Sequence, residues 1–251
     1  MKIEIDKALS IYENAAKYFE EAKKLKKKAE NLKNKIEGIK RKLEDIEIKI
    51  VERRKKEKKK EWYEKFRWFF TSNNFLLIAG KDAITNEIII RKYLEKNDLV
   101  FHAEIHGSPF GILKNGQDAK EEDIYEAAKF VGSYSKAWKQ KLSYIEVYYV
   151  FPDQVSKKAP AGEYLPKGSF MIYGKKNYIK TKLEIAIGEK NGKVIPGVPE
   201  SVSKKTNRYF ILVPGNEKPY RIAKYISESL SLDINDVLPL IPGEGKIIKN
   251  T

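Results

Sequence analysis

No cysteine occurs among the 251 residues, and only two histidines and two methionines do. The first absence excludes a disulfide framework, a thiolate metal cluster and a cysteine nucleophile, and it gives no sign of an oxidising compartment. Uninterrupted apolar runs are missing too. None approaches the roughly 18 residues needed to cross a bilayer, and the opening MKIEIDKALS lacks the apolar stretch of a signal peptide. A cytoplasmic protein without a membrane association is therefore expected. Nucleotide-binding glycine loops are also absent, with no G-x-x-x-x-G-K-[ST] and no G-x-G-x-x-G after a strand, and no G-x-S-x-G elbow offers a nucleophile. These absences point away from catalysis, and nothing calls for a cofactor.

What the sequence has is positive charge. Fifty Lys+Arg against 35 Asp+Glu give a net charge of +15, which favours polyanionic partners, while 41% hydrophobic residues suffice for a packed core. The charge is uneven: residues 1–65 hold 22 basic and 14 acidic side chains. Apolar residues recur there at Ile11, Ala15, Tyr18, Ala22, Leu25, Ala29, Leu32, Ile36, Ile39, Leu43, Ile46 and Ile50, in unbroken steps of four and three. This heptad seam predicts one coiled-coil helix about 60 Å long, and the unbroken register opposes a hairpin turning near Asn34 or Gly38. No later segment matches it, so the seam requires a second chain or further sequence, and self-association through it is expected. The run RRKKEKKK at 53–60 has no seam positions and suits either a solvated helix end or phosphate contact.

Beyond residue 61 the pattern turns to short strands and helices without βαβ alternation. The expected fold is α+β, with a coiled-coil helix over 1–61 followed by a single mixed α/β domain over 62–251. Strands are expected at about 67–70, 74–79, 98–105, 110–114, 143–151, 168–174, 180–188 and 207–213. Helices are expected at about 83–94 behind an Asp82 cap, 120–141, 219–231 behind Pro219, and 234–238.

Two segments carry candidate chemistry. In FHAEIHG, an extended strand would align His102, Glu104 and His106 on one face, which permits a metal-dependent nucleic-acid-processing reading but more simply supplies polar groups to RNA. From Pro152 to Lys182, Lys157, Lys158, Lys167, Lys175, Lys176, Lys180 and Lys182 interleave with Tyr164, Phe170, Tyr173 and Tyr178. Lysines neutralise phosphates and aromatic faces stack unpaired bases, the combination that single-stranded RNA recognition uses.

Three segments, WYEKFRWFFTSNNFLLIAGKDAITNEIIIRKYL, NDLVFHAEIHG and FPDQVSKKAPAGEYLPKGSFMIYGKKNY, resemble the NFACT-R domain of the NFACT family, and IDKALSIYENAAKYFEEAKK resembles the return helix of that family's middle coiled coil. The likeness covers about residues 4–180. It implies the C-terminal portion of a ribosome quality-control factor, whose members bind the large ribosomal subunit carrying peptidyl-tRNA and promote C-terminal tailing of stalled chains. It also implies that the outgoing helix of the coiled coil lies upstream in the parent protein. The implied partners are rRNA of the large subunit and tRNA. The family motifs fall on His102 to Gly107, Asp153 to Lys157 and Gly174 to Asn177. RNA contacts are accordingly expected at His102, Glu104, His106, Lys157, Lys158, Lys167, Lys175, Lys176, Asn177 and Tyr178, with no metal ligand among them.

Overall fold

Ser10 begins the long helix by a reciprocal bond: the Glu13 N–H donates to Ser10 Oγ at 3.3 Å, and the Ser10 N–H donates to the Glu13 carboxylate at 2.7 Å. This capping box satisfies backbone donors that a helix start leaves unpaired. The computed structural model describes residues 4–56, 61–158 and 164–250, with the side chains of 41, 44–56, 249 and 250 outside that description. Helix α1 runs without a break over Ile11–Lys56, as the unbroken register predicts, and Gly38 lies inside it. Its seam is open: Leu25, Leu32, Ile36, Ile39 and Leu43 are each more than half exposed. The seam side chains of Ile46 and Ile50, and the side chains of the 53–60 run, lie outside the described residues.

Residues 61–251 form a second unit. In chain order it contains β1 (Arg67–Phe70), β2 (Leu76–Ala79), α2 (Ala83–Tyr93), β3 (Leu99–Ala103), β4 (Gly111–Leu113), α3 (Glu121–Ser133), α4 (Lys136–Lys139) and β5 (Tyr144–Val150). There follow β6 (Val155–Ser156), β7 (Met171–Ile172), β8 (Asn177–Lys182), β9 (Ile185–Lys190), β10 (Lys193–Gly197), α5 (Pro199–Ser203), β11 (Tyr209–Glu217), α6 (Pro219–Leu230), α7 (Ile234–Val237) and β12 (Gly245–Asn250). An antiparallel six-stranded sheet has the order β1-β2-β4-β3-β5-β8, and a second has the order β10-β9-β11-β12. The fold class is thus α+β with a long leading helix.

The runs LLIA and LVFHA are apolar without alternation because the large sheet is buried on both faces. Leu77, Leu99, Phe101 and Leu113 join Phe130, Trp138, Ile187, Phe210 and Ile222 in the main core, while Ile78, Val100, Ile112 and Val150 join Phe66, Ile89 and Phe170 on the other side. On α2, Asp82 accepts from the Thr85 N–H at 2.8 Å, the expected cap.

Three expected elements differ. The helix foreseen over 120–141 breaks at Tyr134–Ser135, since Ser135 caps α4 by accepting from the Ala137 N–H at 3.2 Å. The strand foreseen at 168–174 pairs only over Met171–Ile172, because Gly168 and Gly174 both turn with positive φ. The strand foreseen at 180–188 is two strands. Its first part, β8, pairs with β5, and its second, β9, pairs with β10 and β11, so the chain changes sheets at Leu183–Glu184. Helix α3 holds this corner. Ser133 Oγ accepts from the Glu184 N–H at 3.0 Å and donates to the Glu184 carbonyl at 3.1 Å. One turn earlier, Lys129, only 2% exposed, binds Glu184 at 2.6 Å and Glu200 of α5 at 2.5 Å.

Removing one member of a buried ion cluster strands the others. Lys129→Met is expected to cost about 3 kcal/mol in urea unfolding, with Glu200 half in water and therefore easily rehydrated. Adding Glu184→Gln and Glu200→Gln should recover part of that loss. Equal stability of Lys129→Met and the parent protein would show that the corner does not depend on the cluster.

Candidate nucleic-acid interface

Antiparallel register sets three residues side by side across β3, β5 and β8: His102 faces Tyr148, and Tyr148 faces Tyr178. The rings continue the row on both sides. His102 stacks on Phe110 with centroids 4.3 Å apart, Phe110 meets Phe170 edge-on at 5.3 Å, and Tyr148 meets Tyr178 edge-on at 5.9 Å. Exposure rises along it, from buried Phe110 and Tyr148 to Tyr178, which is 53% exposed. Because β8 is the last strand of its sheet, the row ends at an edge with one usable aromatic face.

Cations border that edge. Lys176 sits 4.3 Å above the Tyr148 ring and 3.3 Å from the Glu104 carboxylate, and both of those residues, with His102 and His106, line a depression of about 310 Å³. Lys180 lies 5.8 Å above the ring of Tyr144, which is half exposed. Lys158, Lys167 and Lys175 are exposed, and no described carboxylate pairs with them. Asn177 Nδ2 donates weakly to the Tyr149 carbonyl at 3.4 Å, fastening the start of β8 to β5.

The histidine motif does not form the expected extended face. Strand β3 ends at Ala103, and the chain turns back through Glu104 to Gly107, with the Ala103 N–H donating to Ser108 Oγ at 3.0 Å. His102 therefore packs inward while His106 faces solvent. Among the described residues no group of three or more His, Asp or Glu could hold a metal ion, so the His102/Glu104/His106 metal reading fails on this geometry. His102 Nδ1 lies 3.1 Å from the Pro109 carbonyl, which can only accept, and this sets the tautomer with the proton on Nδ1. Burial holds its pKa down at about 4, against the opposing Pro109 bond and Glu104 charge.

Lys157 differs from its neighbour. Its Nζ binds Glu87 at 2.8 Å, donates to the carbonyls of Pro166 and Ser169 at 3.2 Å, and lies 4.9 Å above Phe170. The Lys157 bond, together with the Gly168 N–H, holds the Glu87 carboxyl below its ordinary range. Lys157 thus anchors the 166–170 turn to α2.

The two lysine motifs meet through a residue that composition does not single out. Gln154 Oε1 accepts from the Phe151 N–H at 2.9 Å, while Nε2 donates to the carbonyls of Tyr173 and Lys175 at 2.7 and 3.0 Å. Gly174 makes this possible: its φ is +77°, and a Cβ there would come within 2.9 Å of Gln154 Nε2. Tyr148 and Phe110 were equally unflagged, since nothing in the sequence distinguishes a row ring from a core ring.

Residues 65–174 match the family model for the NFACT protein RNA binding domain. The archaeal Rqc2 homolog aRqcH of Methanocaldococcus jannaschii is 42% identical over 207 residues, covering 78% of this chain and 31% of that protein. The ribosome quality control complex subunit NEMF homolog of Drosophila melanogaster is 44% identical over 135 residues, covering 53% of this chain and 14% of that one. Among solved structures, the C-terminal part of the fibronectin/fibrinogen-binding protein from Streptococcus suis aligns with a TM-score of 0.41 at 21% identity, over 70% of this chain and 77% of that one. The chain spans about a third or less of the curated relatives it matches.

The His102 shift predicts a pH dependence. A histidine that stays neutral when folded but titrates near 6.5 when unfolded gives its full stabilisation above pH 6.5 and loses it as pH falls towards 4. The loss should total about 3 kcal/mol, at roughly 1.4 kcal/mol per pH unit. In His102→Phe this component should vanish, read as a shallower fall of unfolding free energy between pH 6.5 and 4.5. Parallel profiles for the two proteins would contradict it.

Proposed function

Because this chain belongs to the NFACT family, we propose that it is the RNA-binding adaptor portion of a cytoplasmic ribosome quality-control factor. Its fly and budding-yeast relatives are named as subunits of the ribosome quality control complex. The proposed partners are rRNA of the large subunit and tRNA, with support of C-terminal tailing as the activity of the whole assembly. The observation that carries the reading is the edge of the large sheet: a half-exposed Tyr178 at the end of an aromatic row, bordered by Lys180, which no described carboxylate neutralises, and by Lys176, which Glu104 holds at 3.3 Å. Phosphates would meet Lys158, Lys167, Lys175 and Lys176, and an unpaired base would stack on Tyr178. Glu104 competes with phosphate for Lys176, so Glu104→Gln should raise affinity.

Each neutralised phosphate contributes about 0.7 to 0.9 to the slope of log affinity against log salt. Replacing Lys158, Lys167, Lys175 and Lys176 by Ala should therefore lower the slope for structured RNA by about three. Lys157→Ala is expected to lower thermal stability and leave the slope within about one of the parent value. An unaltered slope in the fourfold variant would remove RNA from this edge.

For the helical unit we propose self-association of this chain through the open seam. Burial of each large aliphatic side chain is worth about 1.5 to 3 kcal/mol, which favours pairing. Flanking positions oppose it, since Lys26, Lys28, Lys33, Lys35, Lys40 and Lys42 all border the seam. Added salt screens those lysines, so sedimentation should detect association that grows with salt, opposite in sign to RNA binding. Leu32→Lys with Ile39→Lys should abolish it, and a monomer at every salt concentration would refute it.

A further inference from the structure

A second depression lies at the other end of β5. It has a volume of about 480 Å³ and is lined by Lys96, Gln117, Phe151, Pro152, Asp153 and Gln154. Its size falls in the range that holds one small ligand. Phe151 presents a ring that is 42% exposed, on a backbone held from both sides: the Pro152 that follows restricts Phe151, and Gln154 accepts from the Phe151 N–H. An exposed aromatic on a fixed turn is an available stacking face rather than a leftover of core packing. Gln117 Nε2 is spent on the Lys96 and Asp98 carbonyls, at 2.6 and 3.3 Å, which leaves its Oε1 as an acceptor. The Asp153 carboxylate and the Lys96 ammonium both line the cleft, yet among the described residues neither has a partner and they do not pair with each other.

The cleft thus offers one aromatic face, one free carboxylate, one amide oxygen and one free cation. A carboxylate accepts two parallel hydrogen bonds best from neighbouring N–H donors on one edge. Of the four RNA bases, only guanine has two adjacent donors, N1–H and the N2 amino group, on its Watson–Crick edge. Adenine, cytosine and uracil each set a donor beside an acceptor there, which would face Asp153 with like charge. The Lys96 cation supplies a phosphate contact. We propose that this cleft receives a single unpaired guanine of the bound RNA, stacked on Phe151 and read by Asp153. The inference rests on the RNA-binding reading above and adds base selectivity to it, at a place separate from the Tyr178 edge.

Fluorescence anisotropy of the full chain with labelled nine-nucleotide uridine oligomers tests this, the central position being U, A, C or G. The oligomer with central G should bind about tenfold more tightly than the other three, the discrimination expected of one good two-bond contact. Asp153→Asn, which preserves shape, should erase the preference and leave the all-uridine affinity near its parent value. Phe151→Ala should weaken the G oligomer most, with thermal unfolding unchanged because the Gln154 bond reaches the backbone. Equal affinity for all four oligomers overturns the proposal and leaves RNA binding standing. So does an Asp153→Asn variant that binds all four more tightly by the same factor, since the carboxylate then only repels phosphate. Should none of the oligomers bind, guanosine monophosphate titrated against adenosine monophosphate separates the two readings. Selective binding of the former would keep the cleft and sink the RNA reading, and binding of neither would sink both.

Discussion

The corner at Leu183–Glu184 is the constraint on which the arrangement of both sheets depends. A chain that leaves one sheet and enters another must give up ladder hydrogen bonds where it turns, and a buried turn has no water to replace them. Helix α3 replaces them from a single face. Ser133 satisfies both backbone groups of Glu184, and Lys129, four residues earlier and so one turn along the same face, takes the Glu184 carboxylate and ties it to α5. Gly132 lies between them, where a Cβ would come within 2.8 Å of Ile145. The helix therefore approaches β5 closely enough for the serine to reach the corner.

That close approach determines what the edge can do. With α3 packed beneath it, β5 turns Ile145 and Val147 into the main core and leaves Tyr144, Glu146 and Tyr148 for the opposite face. Antiparallel pairing then sets Lys182, Lys180 and Tyr178 beside them in order. Helix α2 and the 166–170 turn cover only the Phe110 end of that face, so the aromatic row emerges into solvent at β8. A one-residue slip of β8 would reverse this, turning Thr181 and Ile179 outward and burying the lysines. Buried Thr181 holds the register together with the corner two residues later.

Most of the architecture was legible in the sequence, and the departures have distinct physical causes. The seam of α1, the Asp82 cap and the strands around residues 69, 77, 101, 112 and 147 follow from local pattern, which is what local rules report. The errors arise where a tertiary contact overrides it. Ser135 reads as one more residue on a helix face until its hydroxyl caps a new turn. The stretch from 180 to 188 reads as one strand because nothing local marks a change of sheet. Another miss carried a signal: Asn191-Gly192, both at positive φ, is a hairpin turn that announces β10. The histidine motif was misread for the opposite reason. Alternation was extended through Glu104, although Gly107, Ser108 and Pro109 follow closely enough to end the strand first.

Net charge, the strongest signal in the composition, is also the least specific. Lys157 and Lys158 are adjacent and identical in type, yet one is bound by Glu87 and two carbonyls while the other stands in solvent. Lys114 is bound in the same way by Asp98 and Glu95, and Lys129 by two glutamates. Lys205, half-buried against the Phe70 and Thr71 carbonyls, is pushed down to about 8 by that burial and so carries less than a full charge in mildly alkaline solution. Such lysines add to the formal charge of +15 without offering a phosphate anything. Desolvating them is already offset by their internal partners, and a phosphate would have to break those contacts to gain its own. Beside β8, Lys180 has no described carboxylate partner and lies over the half-exposed Tyr144 ring, two residues along the strand from half-exposed Tyr178. It is this coincidence of unspent charge with unspent aromatic surface, rather than the total charge, on which the proposal of RNA contact at this edge rests.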